Sequence, residues 1–215
     1  MSPAVAPSLI QDENFHAVTA RLLLEQYPLD GGPRNNPEAS RNPFDYVEYG
    51  LGIAPEQGEL IYLLCRWLRT KRVAEFATST GMSTLYLAAA IRDNGGGIVI
   101  GSELVSAKAA TARRNLRHVG LSDYAEIREG DARRTLRDLG GPVDFVLIDG
   151  WLANDGPSLA RQVIEIVAPQ VRIGGYVMND NAEPDFLQFV RDPANGFLRL
   201  TLPIKIGAEL CVKVA

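Results

Sequence analysis

Three oxygen-bearing residues close two of the apolar runs in this chain. Asp149 follows Phe145-Val-Leu-Ile148, while Asp180 and Asn181 follow Gly174-Gly-Tyr-Val-Met-Asn179. If the two runs are neighbouring parallel strands, the three side chains meet at one end of a sheet. Two carboxylates and an amide oxygen make a hard, all-oxygen donor set of the kind magnesium prefers, with positions left for water and substrate. The alternative is that each caps its own loop, a common use of Asp and Asn at strand ends.

A second set of residues suits a nucleotide-like ligand. The stretch Arg72-Val-Ala-Glu-Phe-Ala-Thr-Ser-Thr-Gly-Met-Ser-Thr84 reads as a buried strand over 73–77, a turn at Gly81 and a helix opening at Ser83 or Thr84. Ala77, Thr78, Ser79 and Thr80 are small enough for a ligand to approach the backbone. Glu75 sits inside the strand. A tight strand-to-helix turn with no ligand remains the plainer reading, because only Gly81 survives of a glycine-rich pattern. Glu103 follows the next apolar run, where an acid accepts hydrogen bonds from ribose hydroxyls or caps the helix at Ser106. Asp131, in Glu129-Gly-Asp-Ala132, can touch an adenine edge, cap the next helix, or both.

These residues need an α/β sheet to position them. Apolar strand patterns over 73–77, 98–102, 124–128, 143–148 and 175–178 alternate with helical patterns over 84–91, 106–119, 132–139, 158–167 and 184–190. Such alternation implies a mostly parallel sheet with helices on both faces. The last two runs, 197–204 and 209–214, are joined only by a short turn at Gly207 and should pair as an antiparallel hairpin. Residues 1–45 read as an N-terminal helical arm and loop, with a helix over 12–26 and Gly, Pro and Asn crowding 27–42. The single globular domain then spans 46–215. Its first helix starts near Pro55, with Leu60, Leu63, Leu64, Trp67 and Leu68 as the expected apolar face.

Length and composition limit the rest. At 215 residues the chain can bury a core without staples, and 46% hydrophobic with 22% charged residues is ordinary for a globular domain. A net charge of −4 gives no reason to expect nucleic acid as partner. No apolar run approaches a membrane span and the N-terminus lacks a secretory pattern, so a cytoplasmic protein is expected. Cys65 and Cys211 have no metal-ligand spacing and read as buried thiols.

From about Gly52 onward the chain resembles the small cation-dependent O-methyltransferases that use S-adenosylmethionine, of the catechol and caffeoyl-coenzyme A type. Ile53-Ala-Pro-Glu-Gln-Gly58 is similar to their segment that closes over the cofactor, and Glu75-Phe-Ala-Thr-Ser-Thr-Gly-Met-Ser-Thr84 to their cofactor loop. Glu103 matches their ribose-binding acid, Gly130-Asp-Ala132 their adenine segment, and Asp149, Asp180 and Asn181 their metal ligands. Pro184-Asp-Phe-Leu-Gln-Phe-Val-Arg191 is similar to the helix that follows.

The resemblance implies a Rossmann-like class I methyltransferase fold with a seven-stranded sheet. It implies cofactor contacts at Ile53, Glu75, Ala77, Thr78, Gly81, Ser83, Glu103, Asp131 and Ala132. It also implies magnesium or another divalent cation and a small hydroxyl acceptor, for which Trp151 and Leu152, just past Asp149, are expected to line the pocket. Separately, the apolar stripe of the loop-tethered helix over 12–26 (Phe15, Val18, Leu22, Leu23) is expected to pack in a homodimer interface. Two departures stand out. Ala77 replaces a family glycine, and Leu152 stands where the family places its catalytic lysine, with Asp155 and Lys205 as candidate replacements. Ionising a phenol of pKa about 10 at pH 7 costs roughly 4 kcal/mol, most of which a divalent cation can supply. The rival expectations are a methyltransferase-fold binding protein without catalysis, and a metal-independent methyltransferase acting on another atom.

Overall fold

In the computed structural model, the described residues are 8–26, 40, 42–150, 156–204 and 207–215. Much of the Gly/Pro-rich loop, Trp151, Leu152, Asp155 and Lys205 therefore lie outside them. Seven strands form one sheet in the order β3-β2-β1-β4-β5-β7-β6. They are β1 (Arg72–Phe76), β2 (Ile98–Glu103), β3 (Ala125–Glu129), β4 (Val143–Ile148), β5 (Val171–Asn179), β6 (Phe197–Leu202) and β7 (Ala208–Lys213). The first five pair in parallel. β7 runs antiparallel to both β5 and β6, because the segment 203–207 is too short to carry a crossover. The order reverses between β1 and β4, which opens a crevice at their C-terminal ends.

The helices are α1 (Glu13–Leu24), α2 (Pro55–Trp67), α3 (Met82–Asp93), α4 (Ser106–His118), α5 (Ala132–Thr135), α6 (Leu159–Val167) and α7 (Pro184–Arg191). Alternation along each strand divides the core between the two faces of the sheet. Val73, Phe145, Leu147 and Met178 belong to one apolar cluster, shared with α1–α4. Ala74, Phe76, Val146, Ile148 and Val177 belong to the other, shared with α5–α7. No helix among the described residues is long and apolar enough to cross a membrane.

Several expected elements shift, each for a local reason. The helix expected over 132–139 closes after Thr135. The Arg128 guanidinium donates to the carbonyls of Thr135 and Asp138, and Gln170 pairs with Leu136 O and Leu139 N, so side chains satisfy the backbone beyond it. Tyr124 ends a 3₁₀ turn, Ser122–Tyr124, rather than starting β3. β5 begins at Val171, earlier than expected, and passes Gly174-Gly175 through a register shift against β4.

Two expected apolar faces are corrected in part. On α2, Leu60, Leu64 and Leu68 pack partly buried against the core, Trp67 and Leu63 are exposed, and Gln57, Ile61 and Cys65 form the fully buried stripe. On α1, Phe15, Val18 and Leu22 are buried and Leu23 is exposed. The arm packs on its own chain: Phe15 meets the Tyr86 ring edge-on at 5.0 Å between centroids, and Arg21 donates to Asn115 at 2.6 Å.

Candidate functional site

The crevice is built first from the turn after β1. Ala77 and Thr78 amides both donate to Ser102 O at 3.1 Å, which ties the turn to β2. Gly81 then takes φ +97° as the N-cap of α3, and a Cβ there would lie 3.2 Å from Ala112 Cα on α4. Both needs select glycine. Ser79 also has a positive φ, so the backbone curls tightly across 77–81.

Ala77 sits at φ +68°, a left-handed conformation that costs an L residue roughly 1–2 kcal/mol. That explains why the resembled family uses glycine here, and what alanine costs. After allowing for glycine's extra unfolded-state entropy, Ala77→Gly should raise unfolding free energy by about 0.5–1 kcal/mol in urea titration. A destabilised variant would show that the methyl's packing outweighs its strain.

Glu75 lies wholly buried beneath this turn. One oxygen, Oε2, accepts from Thr78 Oγ1 at 2.7 Å and Thr84 Oγ1 at 2.6 Å, while Oε1 has no hydrogen-bond partner. Desolvation, chiefly, raises the carboxyl's pKa above its ordinary value, against the lowering effect of Thr84, Ser83 and Thr78. A raised folded-state pKa makes ionisation at Glu75 a cost that grows as pH climbs past the ordinary glutamate range. Glu75→Gln should therefore stand closest to wild type in stability at acid pH and gain on it as pH rises toward neutral, because the amide never incurs the desolvation cost of the buried charge. Parallel melting curves across that pH range would contradict the buried-charge account.

Glu103, at the end of β2, is buried and turned toward the same turn. Its Oε2 accepts from the Ser79 amide at 2.7 Å and its Oε1 from the Val105 amide at 2.9 Å. The buried ammonium of Lys108 lies in its field; burial lowers the lysine's pKa and Glu103 partly offsets this. Asp131 caps α5, accepting from Arg133 N at 2.8 Å and pairing with its guanidinium. The Arg133 hydrogen bond is the main reason its pKa falls below the usual range. The capping half of its two expected roles is thus visible. Ile53, Ser83 and Ala132 are all buried at the edge of this region.

On the other side of the crevice, Ile148 pairs with Asn179, which sets Asp149 and Asp180 at equivalent ends of adjacent strands. Asp180 N donates to Ile148 O at 2.9 Å, and Asn181 Nδ2 donates to Asp149 Oδ1 at 3.2 Å. Asn179 folds the segment by accepting from Asn181 N and Ala182 N, and its own amide donates to Glu183 at 2.7 Å. The three residues singled out from the sequence are brought together.

Among the described residues no three His, Cys, Asp or Glu side chains cluster as a metal site. The donor set here is instead two carboxylates and an amide, whose oxygen replaces its NH₂ by a half turn of the Asn181 side chain. That chemistry fits a hard divalent cation.

Sequence reasoning passed over Gln57. It lies on the first turn of α2, buried, and its Nε2 donates to Asp180 Oδ1. A polar residue at 57 in line with Ile61 and Cys65, on a helical stripe that proves buried, was the readable signal.

The comparisons with known proteins agree with this architecture. A family model described as a methyltransferase domain matches residues 74–182, from β1 through the Asp180–Asn181 segment. The chain belongs to this methyltransferase-domain family. Catechol O-methyltransferase of Mycobacterium tuberculosis is 32% identical over 142 residues, covering 63% of this chain and 64% of that protein. Its namesake from Niastella koreensis is 30% identical over 155 residues, covering 66% and 67%. The chain thus spans about two thirds of the curated relatives it matches. Among solved structures, the O-methyltransferase from Bacillus cereus in complex with SAH superposes with a TM-score of 0.70. It is 19% identical over 95% of this chain and 92% of that one. At that identity the likeness establishes the methyltransferase-family fold.

Proposed function

We propose that this methyltransferase-family chain moves a methyl group from S-adenosylmethionine to a hydroxyl of a small, aromatic or otherwise apolar acceptor, assisted by a divalent cation. The observation that carries the reading is the convergence of Asp149, Asp180 and Asn181 across the crevice from the Ala77–Gly81 turn and Glu103. The catechol O-methyltransferase name of both curated relatives, and the SAH in the Bacillus cereus structure, support the acceptor class and the methyl donor.

In this reading Glu103 holds the ribose hydroxyls. The curled backbone of the turn admits the cofactor's close approach, and Asp131 and Ala132 border the adenine. Asp149, Asp180 and Asn181 would hold the cation. When bound, such an ion supplies Lewis acidity that lowers the pKa of a hydroxyl beside it by several units. The protein's remaining task is to align oxygen, methyl carbon and sulfur in line, with Trp151 and Leu152 bordering the acceptor. Leu152 supplies no base, which leaves Asp155 and Lys205 as the candidate proton acceptors for a hydroxyl whose pKa a bound cation would lower.

The test is one incubation with labelled S-adenosylmethionine and a panel of phenols, with and without magnesium. Label should move to a phenol only when the cation is present. The strained Ala77 and the missing lysine favour a second reading, a methyltransferase-fold binding protein without catalysis. Cofactor binding without transfer to any phenol would favour it.

A cytoplasmic homodimer without nucleic-acid or membrane partners belongs to the same proposal. Since the buried stripe of α1 is used within the chain, dimer contacts would fall on faces left open, which include the 88%-exposed Leu24 and 87%-exposed Trp67. Sedimentation at micromolar concentration should give a dimer, and Trp67→Lys should shift it toward monomer. A monomeric wild type ends that part.

A further inference from the structure

Gln57 is 1% exposed, and its two amide atoms are treated very differently. Nε2 donates to Oδ1 of Asp180, itself 1% exposed, whereas Oε1 is buried with no hydrogen-bond partner. An unpaired buried acceptor destabilises a fold, and an apolar side chain of similar length would incur no such cost. Packing alone therefore does not account for glutamine here.

The helix is also placed so that this contact forms. A Cβ at Gly58 would lie 2.3 Å from the Tyr86 ring, so glycine is what lets the first turn of α2 close on α3 and carry Gln57 to the end of β5. The Asp180 backbone is fixed from the other side by Ile148 O. With Oδ1 held by an amide donor, rotation of the carboxylate about its own axis is restricted.

We propose that Gln57 is a positioning residue for the cation: it orients the Asp180 carboxylate, and through it the whole oxygen donor set. This rests on the cation-assisted reading given above. Outer partners that orient ligating carboxylates are commonly worth 10- to 100-fold in metal affinity.

The test is titration of Mn²⁺ into the purified protein, read by the loss of free-ion electron paramagnetic resonance signal, for wild type, Gln57→Leu and Gln57→Met. S-Adenosylhomocysteine affinity is measured on the same samples by calorimetry. Both variants should bind Mn²⁺ about 10- to 100-fold more weakly, with S-adenosylhomocysteine affinity held within about twofold. Unchanged Mn²⁺ affinity would overturn the proposal. Parallel weakening of both ligands would overturn it too, by reducing Gln57 to a packing residue. A wild type that binds S-adenosylhomocysteine but no Mn²⁺ would remove the cation reading itself, and is told apart because it needs no variant.

Discussion

Asp180→Asn should lower turnover on a phenolic acceptor by about three orders of magnitude at pH 7 while leaving S-adenosylhomocysteine affinity within about twofold. The size follows from the acceptor. Ionising a phenol of pKa about 10 at pH 7 costs roughly 4 kcal/mol, and each 1.36 kcal/mol is a factor of ten in rate. If the cation supplies most of that, losing a charged ligand forfeits it. The asparagine is chosen because its amide oxygen can still accept from Gln57 Nε2, so the buried contact at the end of β5 is kept and only the charge goes. Asp180→Ala would also strand that donor and confuse folding with chemistry. Asp149→Ala should behave like Asp180→Asn in turnover, and excess chelator should reproduce both in wild type. Full activity in chelator, or an Asp180→Asn enzyme that keeps more than a tenth of wild-type turnover, would rule out cation assistance.

What the sequence made legible, and what it hid, follows from how local each signal was. Strand–helix alternation and the short 203–207 link were enough for the parallel sheet and its terminal hairpin, because both depend on chain length and period. Asp149, Asp180 and Asn181 were readable as a group because each lies one or two residues past an apolar strand, so sheet register alone brings them together. Glu103 was readable as an acid closing its strand, and Glu75 as an acid within an otherwise apolar one.

Gln57 was hidden, since its partner is 123 positions away and reaches it only through the packing of α2 on α3. The open face of α2 was misjudged because Leu63 and Trp67 fit a helical period as well as Ile61 and Cys65 do; tertiary contact decided between the stripes. The early end of α5 was equally unreadable. It depends on Arg128 and Gln170 reaching across from β3 and from beyond α6 to take up the backbone groups.

Glu103→Ala should weaken S-adenosylhomocysteine by about 1.5–3 kcal/mol, roughly 10- to 150-fold, the value of a hydrogen bond to a charged group. The geometry warns against reading that number directly. Both Glu103 oxygens already receive backbone amides, Ser79 N and Val105 N, and the first of these shapes the turn under the ligand. Alanine would leave two amides without their acceptor, so part of any lost affinity could come from a loosened turn. Each carboxylate oxygen retains capacity for a second donor, which is where ribose hydroxyls would bind. A double cycle separates the two contributions. Wild type and Glu103→Ala are each titrated with S-adenosylhomocysteine and with its 2′,3′-dideoxyribose analogue. If Glu103 reads the ribose, the dideoxy ligand binds wild type weakly and loses little more on mutation, because the hydroxyls that Glu103 would hold are already absent. If Glu103 only scaffolds the turn, both ligands lose affinity by the same factor. Equal losses would take the acid out of the cofactor site and leave it as a brace between β2 and the turn after β1.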